Sequence, residues 1–507
     1  MAHPHDHPDL DFDHPASAHV EVTEEGLTLQ LGDWAAGDEP VARDITMADL
    51  EALHAVEVEL AARTSEVEID PTLARVEKLM DLLGSPQTAY PVIHVAGTNG
   101  KTSTVRMIES LLGAFHQRVG RFSSPKLQVI NDQIGIDGVP LHPADFVRIY
   151  EEIKPYVAMV DADCDTAGTP RLSAFEVLVA IAVAAFADAP VDVAVIEVGM
   201  GGTWDATNVV NADVAVITPI GLDHQGMLGS TLAEIAGQKA GIVKSRWNSE
   251  DLLTPPDNVA IIAAQEPEAM DVIAQRAIDV DAAIAREGSE FMVTDQSIAV
   301  GGRTLTIQGL GGVYPDIFLP LTGEYQAHNA AVALAAIEAF FGAGRERALN
   351  PDTVRAGFAQ VTTPGRLERV RNGPPVFVDA THNPHGAAAL AQAVSEDFDF
   401  TRLIGVVSIL ADKDYRGILT ALEPVLTEVI ITENRSPRVL DAEVLAEAAR
   451  EIFGEERVSV NPDLAAAIEQ AIDLADWSET ESGRGVLVTG SVVTAGDART
   501  LLKKAPQ

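Results

Sequence analysis

Two α/β domains, each built on a mostly parallel sheet, are predicted: a P-loop-type N-terminal nucleotide-binding domain and a smaller, Rossmann-like C-terminal domain. Three observations predict them. From residue 91 onward, apolar runs of strand length alternate with helical periodicities. The first of these runs feeds a glycine-rich turn and then a helix, the order of a phosphate-binding unit. A segment rich in Pro, Gly and charge at 362–375 interrupts the alternation, which restarts beyond it.

Taken in order, residues 1–46 are poor in bulky apolar side chains and rich in His, Asp, Pro and Glu, which predicts a mobile acidic tail. His3, His5, His7 and His14 lie in it without a scaffold to orient them toward a metal. Amphipathic patterns predict helices over 47–65 and 73–83, the second stopping at Gly84. Residues 91–96 read as a buried strand, followed by the turn and a helix from Ser103. Further strands are predicted within 191–199, 212–220 and 258–264, hairpins over 286–320 and a helix over 328–341. The first domain thus spans 47–362, a linker 363–374, and the second domain 375–507, where PVFVDA, LIGVVSIL, EVIITEN and GVLVTGS each precede a helical pattern.

Composition narrows the function. With 35 Lys+Arg against 76 Asp+Glu, the net charge is -41, and such a surface repels nucleic-acid phosphates and anionic lipid. An anionic ligand would therefore need a locally basic site. No apolar run is free enough of charge to span a bilayer, and the N-terminus lacks the basic head and apolar stretch of a secretory signal. The single cysteine, Cys164, excludes an intramolecular disulfide, so the expected compartment is the cytoplasm.

Gly97-Thr98-Asn99-Gly100-Lys101-Thr102 is the strongest local signal. Its glycines let backbone N–H groups turn toward a phosphate, and the following helix adds its positive end. Lys101 can neutralise charge between β- and γ-phosphates, and Thr102 or Ser103 can place a hydroxyl on Mg²⁺. Val95 stands where the usual motif carries its first glycine. Glu197 ends a strand at the carboxyl edge where such sheets bind ligands, a place suited to a metal.

HVAGTNGKTST resembles the variant phosphate loop of the Mur ligase superfamily. Within it, the chain resembles folylpolyglutamate synthase/dihydrofolate synthase over roughly 48–500. IDPTLARV, SSPKL, SAFE, EVGMGGTWDATNV, LDH, IAGQKAGIVK, HNAA, PGRLE, DATHNPHGA, LADKD and VTGS recur in the family's order. The resemblance implies an ATP-dependent ligase that joins L-glutamate to dihydropteroate or to a reduced folate, working as a monomer with two Mg²⁺. It implies ATP contacts at Gly97, Thr98, Asn99, Gly100, Lys101, Thr102, Ser103, Asn329, Arg366, Asp379 and His382. Metal ligands fall at Ser124, Glu197 and His224, with Thr102 or Ser103. The pterin pocket falls at Asp70, Ser173, Phe175, Trp204, Asp205 and Ala206, where an aromatic face can stack on a flat bicycle. Lys239 matches a family lysine that is carbamylated.

Lys126, Thr203, Trp204 and Tyr325 depart from the residues usual in the family. The resemblance implies that they change the finer shape of the pterin and glutamate pockets and leave the metal and ATP positions intact. The expected reaction activates a carboxylate by phosphorylation and lets an amine displace the phosphate. Lys101, His224, Lys239 and Arg366 are its expected catalytic residues, acting by positioning and charge neutralisation. Two alternatives are a cell-wall Mur ligase and a P-loop ATPase switch. The first needs a further N-terminal domain, for which residues 47–96 leave too little room; the second leaves the second-domain motifs unexplained.

Overall fold

A computed structural model of the chain describes residues 43–63, 70–245, 258–344, 347–476 and 483–507, together with the backbone of two strands nearer the N-terminus. Those strands, β1 (His19–Thr23) and β2 (Gly26–Gln30), pair antiparallel within the segment expected to be a mobile tail. The four tail histidines lie outside the described residues. Residues 1–47 form one compact unit and 48–507 another.

The larger unit holds the two expected helices, Met47–Ala61 from Ala48 onward and Ala74–Leu82. Its first sheet has eight strands. They are β3 (Val92–Ala96), β4 (Val119–Phe122), β5 (Ile134–Ile136), β6 (Val139–Pro140), β7 (Val193–Glu197), β8 (Val214–Ile217), β9 (Val259–Ile262) and β10 (Ala283–Arg286). Their order is β10-β9-β8-β3-β7-β4-β5-β6, and only the last two join antiparallel. β3 therefore lies between two parallel neighbours, with all five residues buried, which is why it reads as a continuous apolar run.

Strand parity divides the core. Ile93 and Val95 pack with the helices Lys101–Ala114 and Glu324–Phe340, whereas Val92 packs on the opposite face with the helix Ala174–Asp188. β11 (Met292–Ala299), β12 (Gly302–Gln308) and β13 (Val313–Leu319) form the antiparallel sheet expected from the alternating stretch. The following helix starts at Glu324, four residues earlier than its apolar pattern indicates, because Gly323 (φ 100°) ends the preceding turn there.

The second sheet holds β14 (Glu368–Asn372), β15 (Pro375–Val378), β16 (Arg402–Val407), β17 (Glu428–Ile431), β18 (Val458–Val460) and β19 (Arg484–Thr489). Its order is β14-β15-β19-β16-β17-β18, parallel except for β14. The expected linker 363–374 is corrected here: its second half is the edge strand β14, and the connection shrinks to the turn that carries Arg366. Glu, Arg and Asn on a half-exposed edge carry no apolar signal.

The two sheets' domains meet where the helix Val492–Leu501 crosses the loop at Leu127. A Cβ on Gly496 would lie 1.6 Å from the Leu127 carbonyl oxygen. Gln128 Nε2 donates to Thr500 Oγ1 at 3.3 Å beside it. Because the obstructing atom is backbone, Gly496→Ala must push the domains apart. The variant is expected to lose roughly 3–8 °C in thermal midpoint; calorimetry showing no change would contradict this packing.

Candidate active site

The phosphate loop leaves the carboxyl end of β3 and enters the helix that begins at Lys101. Two glycines are required by space and by backbone. A Cβ on Gly97 (φ 147°) would lie 1.8 Å from Thr218 Oγ1, and one on Gly100 (φ 86°) would lie 2.6 Å from Asn329 Oδ1. Thr98 Oγ1 accepts from Gly221 N at 3.1 Å, and the Thr98 and Asn99 amides donate to Pro219 O at 3.0 and 3.3 Å. The loop is thereby fixed to the strand end beyond β8.

Lys101 folds back on this loop. Its Nζ donates to Gly97 O at 3.2 Å and Thr98 O at 3.3 Å, and burial lowers its pKa. Lys239, 5% exposed, donates to the same Gly97 carbonyl at 2.6 Å. Burial and the nearby Lys101 bring the Lys239 ammonium down to about 7. Facing them, Glu197 at the end of β7 is 1% exposed and its pKa is raised by burial. Glu197 Oε1 accepts from Thr102 Oγ1 at 3.0 Å, and Arg366 Nη2 donates to that same hydroxyl at 3.2 Å. Arg366 thus reaches from the turn between the sheets to the phosphate loop.

The donor set fits Mg²⁺. Glu197 Oε2 is buried without a hydrogen-bond partner, the Thr102 hydroxyl is beside the carboxylate, and Ser124 and His224 line the same cavity. Ser103 faces that cavity too, but its hydroxyl accepts from Gln326 Nε2 at 3.3 Å. His224 sits at φ 50°, a left-handed conformation unusual for a side chain of this size. Burial lowers its pKa to about 4, leaving a neutral imidazole with a lone pair to offer.

Every ATP and metal position named from the sequence lines one cavity of about 360 Å³. The second domain closes it with Asp379, His382 and His385. Asp379 spends its oxygens on the Leu367 and Thr381 amides at 2.7 and 2.8 Å, which shapes the loop after β15. His382 Nδ1 donates to Ala380 O at 3.0 Å, and its pKa falls to about 4 through burial and the adjacent Lys413. Asn99 and Asn383 exchange side-chain hydrogen bonds at 3.3 and 3.1 Å across the domains.

All six expected pterin positions line a second cavity of about 300 Å³. Two of them are structurally committed. Ser173 caps the helix Ala174–Asp188, its Oγ accepting from Glu176 N at 3.2 Å. Asp205, 3% exposed, accepts from Met200 N at 2.8 Å and from Thr207 N at 3.0 Å. Asp70 pairs with Arg75 at 3.0 Å on the rim. Phe175 lies under the Gly199 turn, where a Cβ would come within 2.5 Å of its ring. The two cavities share Ser124, Pro125, Gly199, Met200, His224, His382 and Val492, so they lie side by side.

Asp223 and Lys413 were not singled out by the sequence, although LDH and LADKD contain them. Lys413 Nζ donates to Asp223 Oδ1 at 2.8 Å and Asn383 Nδ2 to Oδ2 at 3.1 Å, both across the domain boundary. Burial opposes the Asp223 charge, but His224, Lys413 and His382 outweigh it and hold the carboxyl below its ordinary range.

Residues 154–337 match the Mur ligase middle domain and 365–492 the Mur ligase, glutamate ligase domain. The chain is 54% identical over 473 residues to the dihydrofolate synthase/folylpolyglutamate synthase of Mycobacterium tuberculosis, covering 91% of this chain and 96% of that protein. The Bacillus subtilis protein of the same description is 32% identical over 439 residues, covering 86% and 96%. Among solved structures, Mycobacterium tuberculosis folylpolyglutamate synthase complexed with ADP and AMPPCP superposes with a TM-score of 0.85 at 54% identity, covering 90% of this chain and 100% of that one. Escherichia coli FolC in complex with DHPP and ADP gives 0.74 at 30% identity, covering 89% and 97%.

Removing the Lys101 ammonium leaves the backbone cradle in place but takes away a cation that lines this cavity. Lys101→Ala is expected to lower nucleotide-dependent turnover by about 10²-fold or more while keeping the circular dichroism spectrum. Turnover within twofold of the unsubstituted protein would remove Lys101 from the site.

Proposed function

The chain belongs to the folylpolyglutamate synthase/dihydrofolate synthase family of Mur ligases, and from that premise we propose how its residues carry out ATP-dependent addition of L-glutamate. The acceptor is dihydropteroate, the γ-carboxylate of a reduced folate, or both. The observation that carries the reading is the junction of the two cavities at Ser124, Gly199, Met200 and His224, with Glu197, Thr102 and Lys101 lining the first of them. A flat ring held at Phe175 and Trp204 would point its carboxylate tail toward that junction, and ATP on the phosphate loop would point its γ-phosphate there from the other side.

The carboxylate oxygen attacks the γ-phosphorus, ADP leaves, and an acyl phosphate forms. The glutamate amine then attacks the acyl carbon, gives up its proton, and phosphate departs with the bridging oxygen. Lys101 and Arg366 neutralise charge along the phosphates, and the loop amides orient them. Mg²⁺ would be held by Glu197, Thr102, Ser124 and His224, where it would draw charge from the phosphate oxygens when bound. Asp379 and His382 shape the nucleotide side of the cleft and Asn329 buttresses the loop at Gly100. The second domain shields the acyl phosphate from water. The protein works as a monomer in this reading, and in the cytoplasm, in keeping with a single cysteine that can form no intramolecular disulfide.

Lys239 carries a carbamate in this reading. The neutral amine adds to carbon dioxide, releases a proton and becomes an anion, which suits a site that must bind metal as well as phosphate. With its ammonium brought down to about 7, the amine is mostly neutral above that pH and mostly charged below it. Enzyme stripped of carbon dioxide is expected to regain activity on adding bicarbonate, more completely at pH 8 than at pH 6. Lys239→Ala should be inactive and partly rescued by short carboxylic acids. Full activity without bicarbonate across that range would exclude the carbamate.

Release of ADP tests the reaction itself. It is expected to require glutamate together with dihydropteroate or tetrahydrofolate, one ADP per amide formed. Equal ADP release with neither acceptor present would favour the ATPase switch.

A further inference from the structure

His94 is fully buried in the middle of β3, on the face that otherwise carries apolar side chains, three residues before the phosphate loop begins. No step of the reaction uses it. Its Nε2 lies 2.9 Å from Thr207 Oγ1, and its Nδ1 has no hydrogen-bond partner. Such an arrangement is costly for a polar group in a dry interior, and an apolar residue would fill the position without that cost.

The direction of the hydrogen bonds follows from what Thr207 does next. Its hydroxyl is 2.5 Å from Asp205 Oδ1, which also receives the Thr207 amide at 3.0 Å, while Oδ2 receives the Met200 amide at 2.8 Å. Three donors converge on one carboxylate, so the Thr207 proton points to Asp205. The Thr207 oxygen is then free to accept, and His94 must be the Nε2–H tautomer that donates to it. The chain His94–Thr207–Asp205–Met200 thus runs from the strand bearing the phosphate loop to the turn 199–205 that rests on Phe175.

We propose that His94 is a positioning residue for the flat-ring substrate: by donating to Thr207 it fixes Asp205 and the turn 199–205 against Phe175, in register with the phosphate loop. The identity of that substrate rests on the reading given above; the geometry of the turn does not.

The test uses three variants of the full chain. His94→Leu and Thr207→Val each break the relay, while His94→Gln returns an N–H donor near the Nε2 position. His94→Leu and Thr207→Val are expected to raise KM for dihydropteroate or tetrahydrofolate about tenfold, the loss of one buried hydrogen bond and its organising effect. KM for ATP should move less than about twofold, the double variant should be no worse than the worse single one, and His94→Gln should recover most of the loss. Hydrogen–deuterium exchange supplies a readout that needs no turnover: amides of 199–207 should exchange faster in both relay-breaking variants, with those of 97–102 unchanged. Thr207→Val carries the test alone if His94→Leu does not fold. Additive effects, equal shifts in both KM values, or unaltered exchange at 199–207 would overturn the proposal. Failure of the unsubstituted protein to use either pterin would instead sink the substrate reading, with the exchange result still deciding the role of His94.

Discussion

Two lysines held on one backbone carbonyl are the constraint around which the rest of this structure is arranged. Lys101 and Lys239 both donate to Gly97 O, at 3.2 and 2.6 Å, in a pocket where burial already disfavours their charge. Glu197 offers one partly used carboxylate nearby, its Oε1 engaged by Thr102. Lys101, with Arg366 on the Thr102 hydroxyl beside it, makes the locally basic site that an anionic ligand needs in a chain of net charge -41. Phosphate oxygens can replace these carbonyls as acceptors for Lys101, with a divalent metal on Glu197.

That constraint explains why two domains are needed. The first supplies the cradle and the cations, but its phosphate edge is open. Asn383 on Asn99, Lys413 on Asp223 and Arg366 on Thr102 reach it from the turn and domain beyond, and each contact lands within the phosphate loop or the strand end after β8. The domains are also locked at a distance from the chemistry, where Gly496 abuts Leu127. Closure can then exclude water from the junction of the two cavities without any covalent catalyst from the protein.

What the sequence disclosed follows from how local each signal is. The phosphate loop is a run of adjacent residues with a glycine at the helix entrance, and β3, β7 and β8 are apolar because both faces are covered. The parallel sheets were legible for the same reason. β14 and β18 were not, since one is a charged edge and the other is three residues long. The Asp223–Lys413 pair spans 190 positions, and no spacing rule connects such residues. His94 was hidden inside VIHVA, where the strand signal absorbed it. Ser173 and Asp205 were read as ring contacts; they also line that cavity, yet much of their hydrogen-bonding capacity goes to a helix cap and a turn. The residues named from local motifs come together in two adjacent cavities, while the division of labour within them depends on contacts between distant segments.

The central claim is that the acceptor's carboxylate meets the γ-phosphate at the junction of the two cavities. Dihydropteroate or tetrahydrofolate carrying ¹⁸O in the reacting carboxylate tests this directly, through mass analysis of the phosphate released with the amide. Transfer through an acyl phosphate places one ¹⁸O from the substrate in each phosphate released. Phosphate that carries no label, with the amide formed at the same rate, would contradict the account.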